Sequence, residues 1–254
     1  MPRYGEWSVE LTVSGSIAVA RSLNLNVEKG SRRPFWTTAK IKKATQGVVI
    51  EVVVKARTQE DANDSAVYFV GQTLDMLSLW LNLPIFLSLS GTQFKIVETH
   101  VRRIVEEREW SEAFKLGREY GITRPVFSRA LGWYRKGLTS EDPIDKFIAF
   151  WSSLEGVGSK CARKTTKTKS GAINQICDCF DQIWGDVSHW RVIPNEAQAV
   201  NRFHEIRNGI AHGFMAVEVE NIREITSHVP KLRELTRTFL RDWEDHKKEP
   251  EPRD

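Results

Sequence analysis

Arg207-Asn208-Gly209-Ile210-Ala211-His212 closes a strongly amphipathic helical pattern in the C-terminal half of the chain. Pro194 is expected to open that helix and Gly213 to cap it. At about 100° of rotation per residue, Ala199, Phe203, Ile206 and Ile210 fall in one narrow sector and make the expected core stripe. On the opposite side Asn201, His204, Asn208 and His212 fall within about 80° of one another, with Arg207 at the edge nearest His204. A merely solvated face is usually filled with Lys, Glu and Gln, which form helices better. Two histidines and two asparagines suit hydrogen bonding and proton transfer instead. Asn208 and His212 are four apart and neighbours on that face. Gly209 costs about 1 kcal/mol against Ala in a helix interior, yet lets another backbone or a substrate approach closely.

These residue types point to phosphodiester cleavage without a metal. A histidine near neutral pKa exchanges the proton of a ribose 2′-hydroxyl. An arginine stabilises charge growing on the phosphoryl oxygens, and an asparagine orients either. The competing reading is structural: an Arg, an Asn and a His at a helix end also serve to cap it and bind nearby loops.

Upstream, the pattern is already helical from Arg124. Phe127, Ala130, Leu131 and Tyr134 form one face, with Gly137 as the expected stop. Asp142-Pro143 is a helix start, because Asp caps and Pro tolerates the first helical position. Ile144, Ile148, Trp151 and Leu154 or Glu155 continue that face, with an end near Gly156 or Gly158. Lys160, Arg163, Lys164, Lys167 and Lys169 come next with no acid among them. They read either as a mobile, soluble loop or as a basic arm that neutralises RNA phosphates. Ala172 to Trp184 is a further helix with Ile173, Ile176, Phe180 and Ile183 on one face. Cys177 and Cys179 within it point about 200° apart, a poor arrangement for sharing a metal. His189 and Trp190 lie in the connection and give no specific signal. The last helix has Val219, Ile222, Ile225, Val229, Leu232, Leu235 and Phe239 as buried positions, and Pro230 is expected to kink or divide it. Several helices with modest connections make a bundle.

The N-terminal half reads differently. Trp7 to Val13 alternates as a half-buried strand, Ser14-Gly15 and Lys29-Gly30-Ser31 are turn signals, and Val48 to Val54 fits a more central strand. Thr58 is an N-cap for a helix whose buried stripe is Val67, Val70, Leu74, Leu77 and Leu81. Pro84 stops it, Ile85 to Leu89 forms a short strand, and Gly91 separates it from Phe94 to Val97. His100 is isolated, Glu106 to Glu109 reads as a solvated helix face, and Gly117 and Gly121 punctuate the end of this half. It contains no glycine-rich phosphate loop, no metal-ligand spacing and no nucleophile elbow. The chain is therefore expected to be α+β: a mixed sheet and helix domain over 1–121 of unknown role, a helical bundle over 122–245, and a disordered tail over 246–254.

With 254 residues, 41% of them hydrophobic, the chain can bury a full core, and a net charge of +4 permits an anionic partner without demanding one. Three cysteines are too few for a disulfide framework, which favours a reducing cytoplasm. The run Ala66 to Leu89 carries Gln72, Asp75, Asn82 and Pro84, so no membrane span is expected. Neither is a metal or other cofactor.

The C-terminal half resembles the HEPN superfamily, whose motif is an arginine followed after four to six residues by a histidine. Arg207 to His212 has the shortest of those spacings and lies on the penultimate helix. The Asp142-Pro143-Ile144-Asp145-Lys146-Phe147 start, leading to Trp151 and Glu155, is similar to the opening of bacterial HEPN domains. The resemblance implies a homodimer with a composite site between the paired motif helices. It implies a metal-independent endoribonuclease, of toxin or phage-defence type, cutting RNA by 2′-hydroxyl attack. His212 would be the acid–base residue, Arg207 would hold the phosphate and Asn208 would support both; His204 and Asn201 are auxiliary candidates from the shared face. A regulatory or antitoxin protein is an implied partner. The family also has members without nuclease activity, so a binding module for a nucleotide, an RNA or a protein is the alternative.

Overall fold

The structure is a computed structural model that describes residues 5–26, 36–89, 102–212 and 219–246. It is α+β and divides into two compact units, Met1–Gly121 and Ile122–Asp254. The turn expected at Lys29 to Ser31, and the segment holding Gly91, Phe94 to Val97 and His100, lie outside the described residues, as do Gly213 and the tail from residue 247.

In the first unit the strands are β1 (Gly5–Gly15), β2 (Ile17–Ala18), β3 (Leu23–Asn26), β4 (Trp36–Ala44) and β5 (Gly47–Ala56). Helix α1 (Gln59–Leu81), β6 (Ile85–Leu89), β7 (Arg103–Ile104) and α2 (Glu107–Thr123) come after them. The main sheet has the order β3-β4-β5-β1-β6 with every neighbour antiparallel, while β2 and β7 make a small parallel pair. In β5, Val48, Ile50, Val52, Val54 and Ala56 are buried and the residues between them are half-buried. That two-residue period packs one face of the middle strand under α1. Thr58 caps α1 as expected, its hydroxyl accepting from the Asp61 amide at 3.0 Å.

Two expectations change here. Ser14-Gly15 is not a turn: both residues continue β1 and pair with β6. Gly15, at φ 153°, passes so close to the next element that a Cβ would sit 2.8 Å from the Pro84 carbonyl. Helix α1 also has no single stripe. Val67 is exposed, whereas every residue from Val70 to Leu79 is buried, Gln72 and Asp75 among them. The helix is covered on two sides, by the sheet and by α2, whose Gly117 presses against the Gln72 backbone.

The second unit holds α3 (Pro125–Thr139), α4 (Pro143–Cys161), α5 (Ala172–Trp184), α6 (Ala197–Ala211) and α7 (Val219–His246). Asp142 caps α4 by accepting from the Ile144 amide at 2.7 Å and the Asp145 amide at 3.2 Å. The expected stops at Gly137, and at Gly156 or Gly158, are not stops. Gly137 is buried inside α3, where a Cβ would meet the Phe150 ring at 2.6 Å, and Gly158 lies against Ile176 inside α4. Both are places where helices approach closely. Pro230 does not divide α7, which runs unbroken past it. Ile225 before the proline and Leu232, Leu235, Phe239, Leu240 and Trp243 after it are all buried, so packing on both sides outweighs one missing hydrogen bond. Pro194 does not open α6, which begins at Ala197, because Asn195 between them has a φ of 59° that a right-handed helix does not accommodate. Trp190, given no role above, is a buried anchor: its indole N–H donates to Asp181 at 3.0 Å and its ring meets Phe180 edge-on. No helix among the described residues is long and apolar enough to cross a membrane.

Candidate functional site

The residues buried on α6 are Val200, Phe203 and Ile206, while Ala199 and Ile210 are only half-buried. The buried arc is therefore rotated by about 30° towards Val200 from the expected stripe. That rotation carries Arg207 inside the arc and brings His204 and Asn208 to its half-buried edge, leaving Asn201 and His212 exposed.

The rotated face packs against α4. At the closed end, the Phe147 and Phe203 rings meet edge-on at 6.1 Å. One turn along α4, Trp151 lies 5.8 Å from the His204 ring. One turn further, Glu155 and Arg207 form an ion pair at 3.4 Å, both still partly accessible. Phe147, Trp151 and Glu155 are spaced by four, so the seam grades from aromatic core to ion pair along a single helix face.

The polar end is continuously connected. Glu155 Oε2 accepts from Trp151 Nε1 at 3.1 Å and from Arg207 Nη2 at 3.4 Å. Arg207 Nη1 donates to Asn208 Oδ1 at 3.1 Å. The Asn208 amide nitrogen then lies 3.3 Å from His204 Nδ1 and 3.4 Å from Nε2. An atom equidistant from both ring nitrogens sits over the ring face, so this contact is an N–H···π contact and not an in-plane hydrogen bond. His204 is thereby in contact with both an indole and an amide.

His212 is the C-cap residue of α6, exposed, with its backbone N–H donating to the Asn208 carbonyl at 3.0 Å. The site thus unites Arg207, Asn208 and His204 and extends them to Glu155 and Trp151, while His212 and Asn201 stand on the exposed part of the helix. The sequence placed Glu155 on the apolar face of α4 without a partner. The available signal was a carboxylate continuing an aromatic stripe at four-residue spacing.

The basic residues occupy the end of α4 and the loop to α5. Lys160, Arg163, Lys164, Lys167 and Lys169 are exposed. Arg163 Nε and Nη2 both donate to Oδ1 of Asp178 on α5, at 2.8 and 2.6 Å, and its backbone N–H donates to Oδ2 at 2.8 Å. Burial alone would raise the Asp178 carboxyl, but the Arg163 contacts and Gln182 together hold it below the usual range. The loop is tied down as well: the buried Thr168 hydroxyl donates to the Arg163 carbonyl at 2.6 Å, and Gln175 donates to the Thr168 carbonyl at 3.1 Å. On α5, Cys179 is buried, and burial pushes the half-buried Cys177 thiol up to about 11, so Cys177 is not an available thiolate near neutral pH.

Residues 130–251 match the family model described as methylamine utilization protein MauJ. The match covers α4 to α7 and most of α3, and so includes the whole seam. No curated protein and no solved structure matches the chain.

Proposed function

We propose that the C-terminal unit is a HEPN-type bundle and that the chain is a metal-independent endoribonuclease acting through Arg207 and His212. The observation that carries this reading is the Arg-x4-His spacing on α6, with Arg207 anchored on the α4 face by Glu155. MauJ is a HEPN-like family, and its model spans this seam. Arg207 presents its guanidinium at a partly open rim, where a phosphate competes with Glu155 for it. His212, exposed and five residues on, takes the 2′-hydroxyl proton as the 2′-oxygen attacks phosphorus. The 5′-oxygen leaves with a proton from a second acid, and a cyclic phosphate end results. A second copy of the chain supplies that acid by pairing its α6 across a dimer. Cytoplasmic location, a toxin or phage-defence role and a restraining protein partner belong to the same reading. So does a guiding role for Lys160, Lys164, Lys167 and Lys169, with Arg163 already engaged by Asp178.

The test is cleavage of mixed RNA in the presence of EDTA. Wild type is expected to leave 2′,3′-cyclic phosphate ends, and His212→Ala and Arg207→Ala are each expected to lose at least about a hundredfold in rate. Equal cutting by wild type and both variants rejects the assignment.

A second reading has its own support. Glu155 neutralises Arg207 within the chain, and the matching family is described by methylamine utilization, with no nuclease in its name. On that reading the seam binds an RNA, a nucleotide or a protein without turnover, and the same substitutions alter affinity or dimerisation alone.

A further inference from the structure

His204 lies outside the Arg-to-His motif, yet its ring is contacted by two other side chains of the seam. Trp151 stands on one side of its ring, and the Asn208 amide covers a face at 3.3 and 3.4 Å from the two nitrogens. The amide contact lies over one face of the ring and does not use its edge. In the neutral imidazole that edge offers one donor and one acceptor. No other hydrogen bond to either ring nitrogen occurs among the described residues. A half-buried ring with fixed orientation and an uncommitted polar edge is how a protein prepares a recognition contact.

Position along the helix decides what the contact meets. His204 and His212 are eight residues apart, which is about 12 Å of rise. Side chains of one helix lean the same way, so the two rings do not converge. An acid and a base serving one phosphorus must each come within about 3 Å of a reacting oxygen. His204 is therefore out of range for a phosphoryl group attended by His212 of the same chain. It is only three residues, or about 4.5 Å of rise, from Arg207. A phosphate held by Arg207 leaves its neighbouring nucleoside at the level of His204.

We propose that His204 is a specificity-determining residue, its ring edge hydrogen-bonding the base of the nucleotide that flanks the scissile phosphate. This rests on the ribonuclease reading above and names a selectivity which that reading lacks. Trp151 is a positioning residue for the ring, since it is fully buried and reaches no substrate.

The experiment compares full-length wild type, His204→Ala and His204→Gln on an RNA pool randomised around the cut site, with cleavage positions sequenced and thermal melts run in parallel. Wild type is expected to prefer one or two bases at one flanking position. His204→Ala is expected to flatten that preference at least about fivefold, the loss of one hydrogen bond, while turnover on the whole pool changes less. His204→Gln, which keeps a donor and an acceptor, is expected to retain part of the preference or shift it to another base. An unchanged base profile in His204→Ala overturns the proposal and leaves the ribonuclease reading intact. A uniform loss across all sequences, with an altered pH profile and an unchanged melt, also overturns it, because His204 would then be transferring a proton. A uniform loss with a lowered melting temperature overturns it too and makes His204 structural. Absence of cleavage by wild type overturns both readings together.

Discussion

Helix α4 has two kinds of neighbour, and they are built on different rules. Against α3 it packs to exclude everything: Gly137 admits the Phe150 ring, Tyr134 meets that ring at a tilt with centroids 5.6 Å apart, and the buried Ser153 hydroxyl donates to the Ala130 carbonyl at 2.8 Å. The Tyr134 phenol is pushed up to about 12, chiefly by burial. Against α6 the same helix starts equally closed, at Phe147 and Phe203, and opens within two turns into Glu155 and Arg207. The first contact sets stability, and its polar atoms are there only because they are satisfied. The second gives up apolar area for a graded row of polar groups that reach solvent, the pattern expected where a helix pair serves something besides its own folding.

That contrast can be broken by substitution. Phe203→Ala, at the closed end of the α4–α6 seam, is expected to cost about 3–5 kcal/mol in denaturant unfolding. A much smaller loss would mean the seam is not part of the core at all. On the other side of α4, Gly137→Ala forces a methyl group against Phe150 and is expected to cost about 1–3 kcal/mol in the same assay. Neutral behaviour there would show that α3 and α4 have room to separate. Glu155→Gln, at the open end, is expected to cost less than about 1 kcal/mol, because both partners remain partly hydrated. Its larger effect should be on anion binding by Arg207, measured by phosphate or RNA titration, where removal of the competing carboxylate tightens binding.

The Arg163–Asp178 pair sets the smallest expectation. Asp178 is held below its unfolded value of 3.8, so its contribution to stability is present above that pH and is lost as pH falls through the lower folded value. Arg163 is largely exposed, which limits the effect to under about 1 kcal/mol. An acid titration of stability in which Asp178→Asn removes a shallow step below pH 3.8 would confirm the sign, and a step of opposite slope would contradict it.

How much was legible in the sequence depends on the strength of each local pattern. The α+β division, the alternation of β1, the caps at Thr58 and Asp142 and the extent of α5 are all carried by short-range chemistry. Glycine was the main source of error. At Gly137 and Gly158 it marks a partner helix in close contact, and single-chain reading cannot tell such a glycine from a helix stop. The rotation of α6 was invisible for a related reason. Ala199 and Ile210 satisfy the helical period as well as Val200 does, and only the position of α4 decides which side is covered. Hence periodicity alone puts Arg207 and His204 on an exposed polar face, whereas they are half-buried beside Glu155 and Trp151. The exposure of His212 and Asn201 was legible, because they lie farthest round the helix from any apolar position.

Asn208 gives the network a direction. An amide has unlike ends, and Arg207, which only donates, obliges the oxygen to face it, so the NH2 group must face His204. An anion that took both guanidinium nitrogens would release the oxygen end and free the amide from its fixed orientation towards the imidazole. Filling one position of the seam would thus loosen the next through a single side chain.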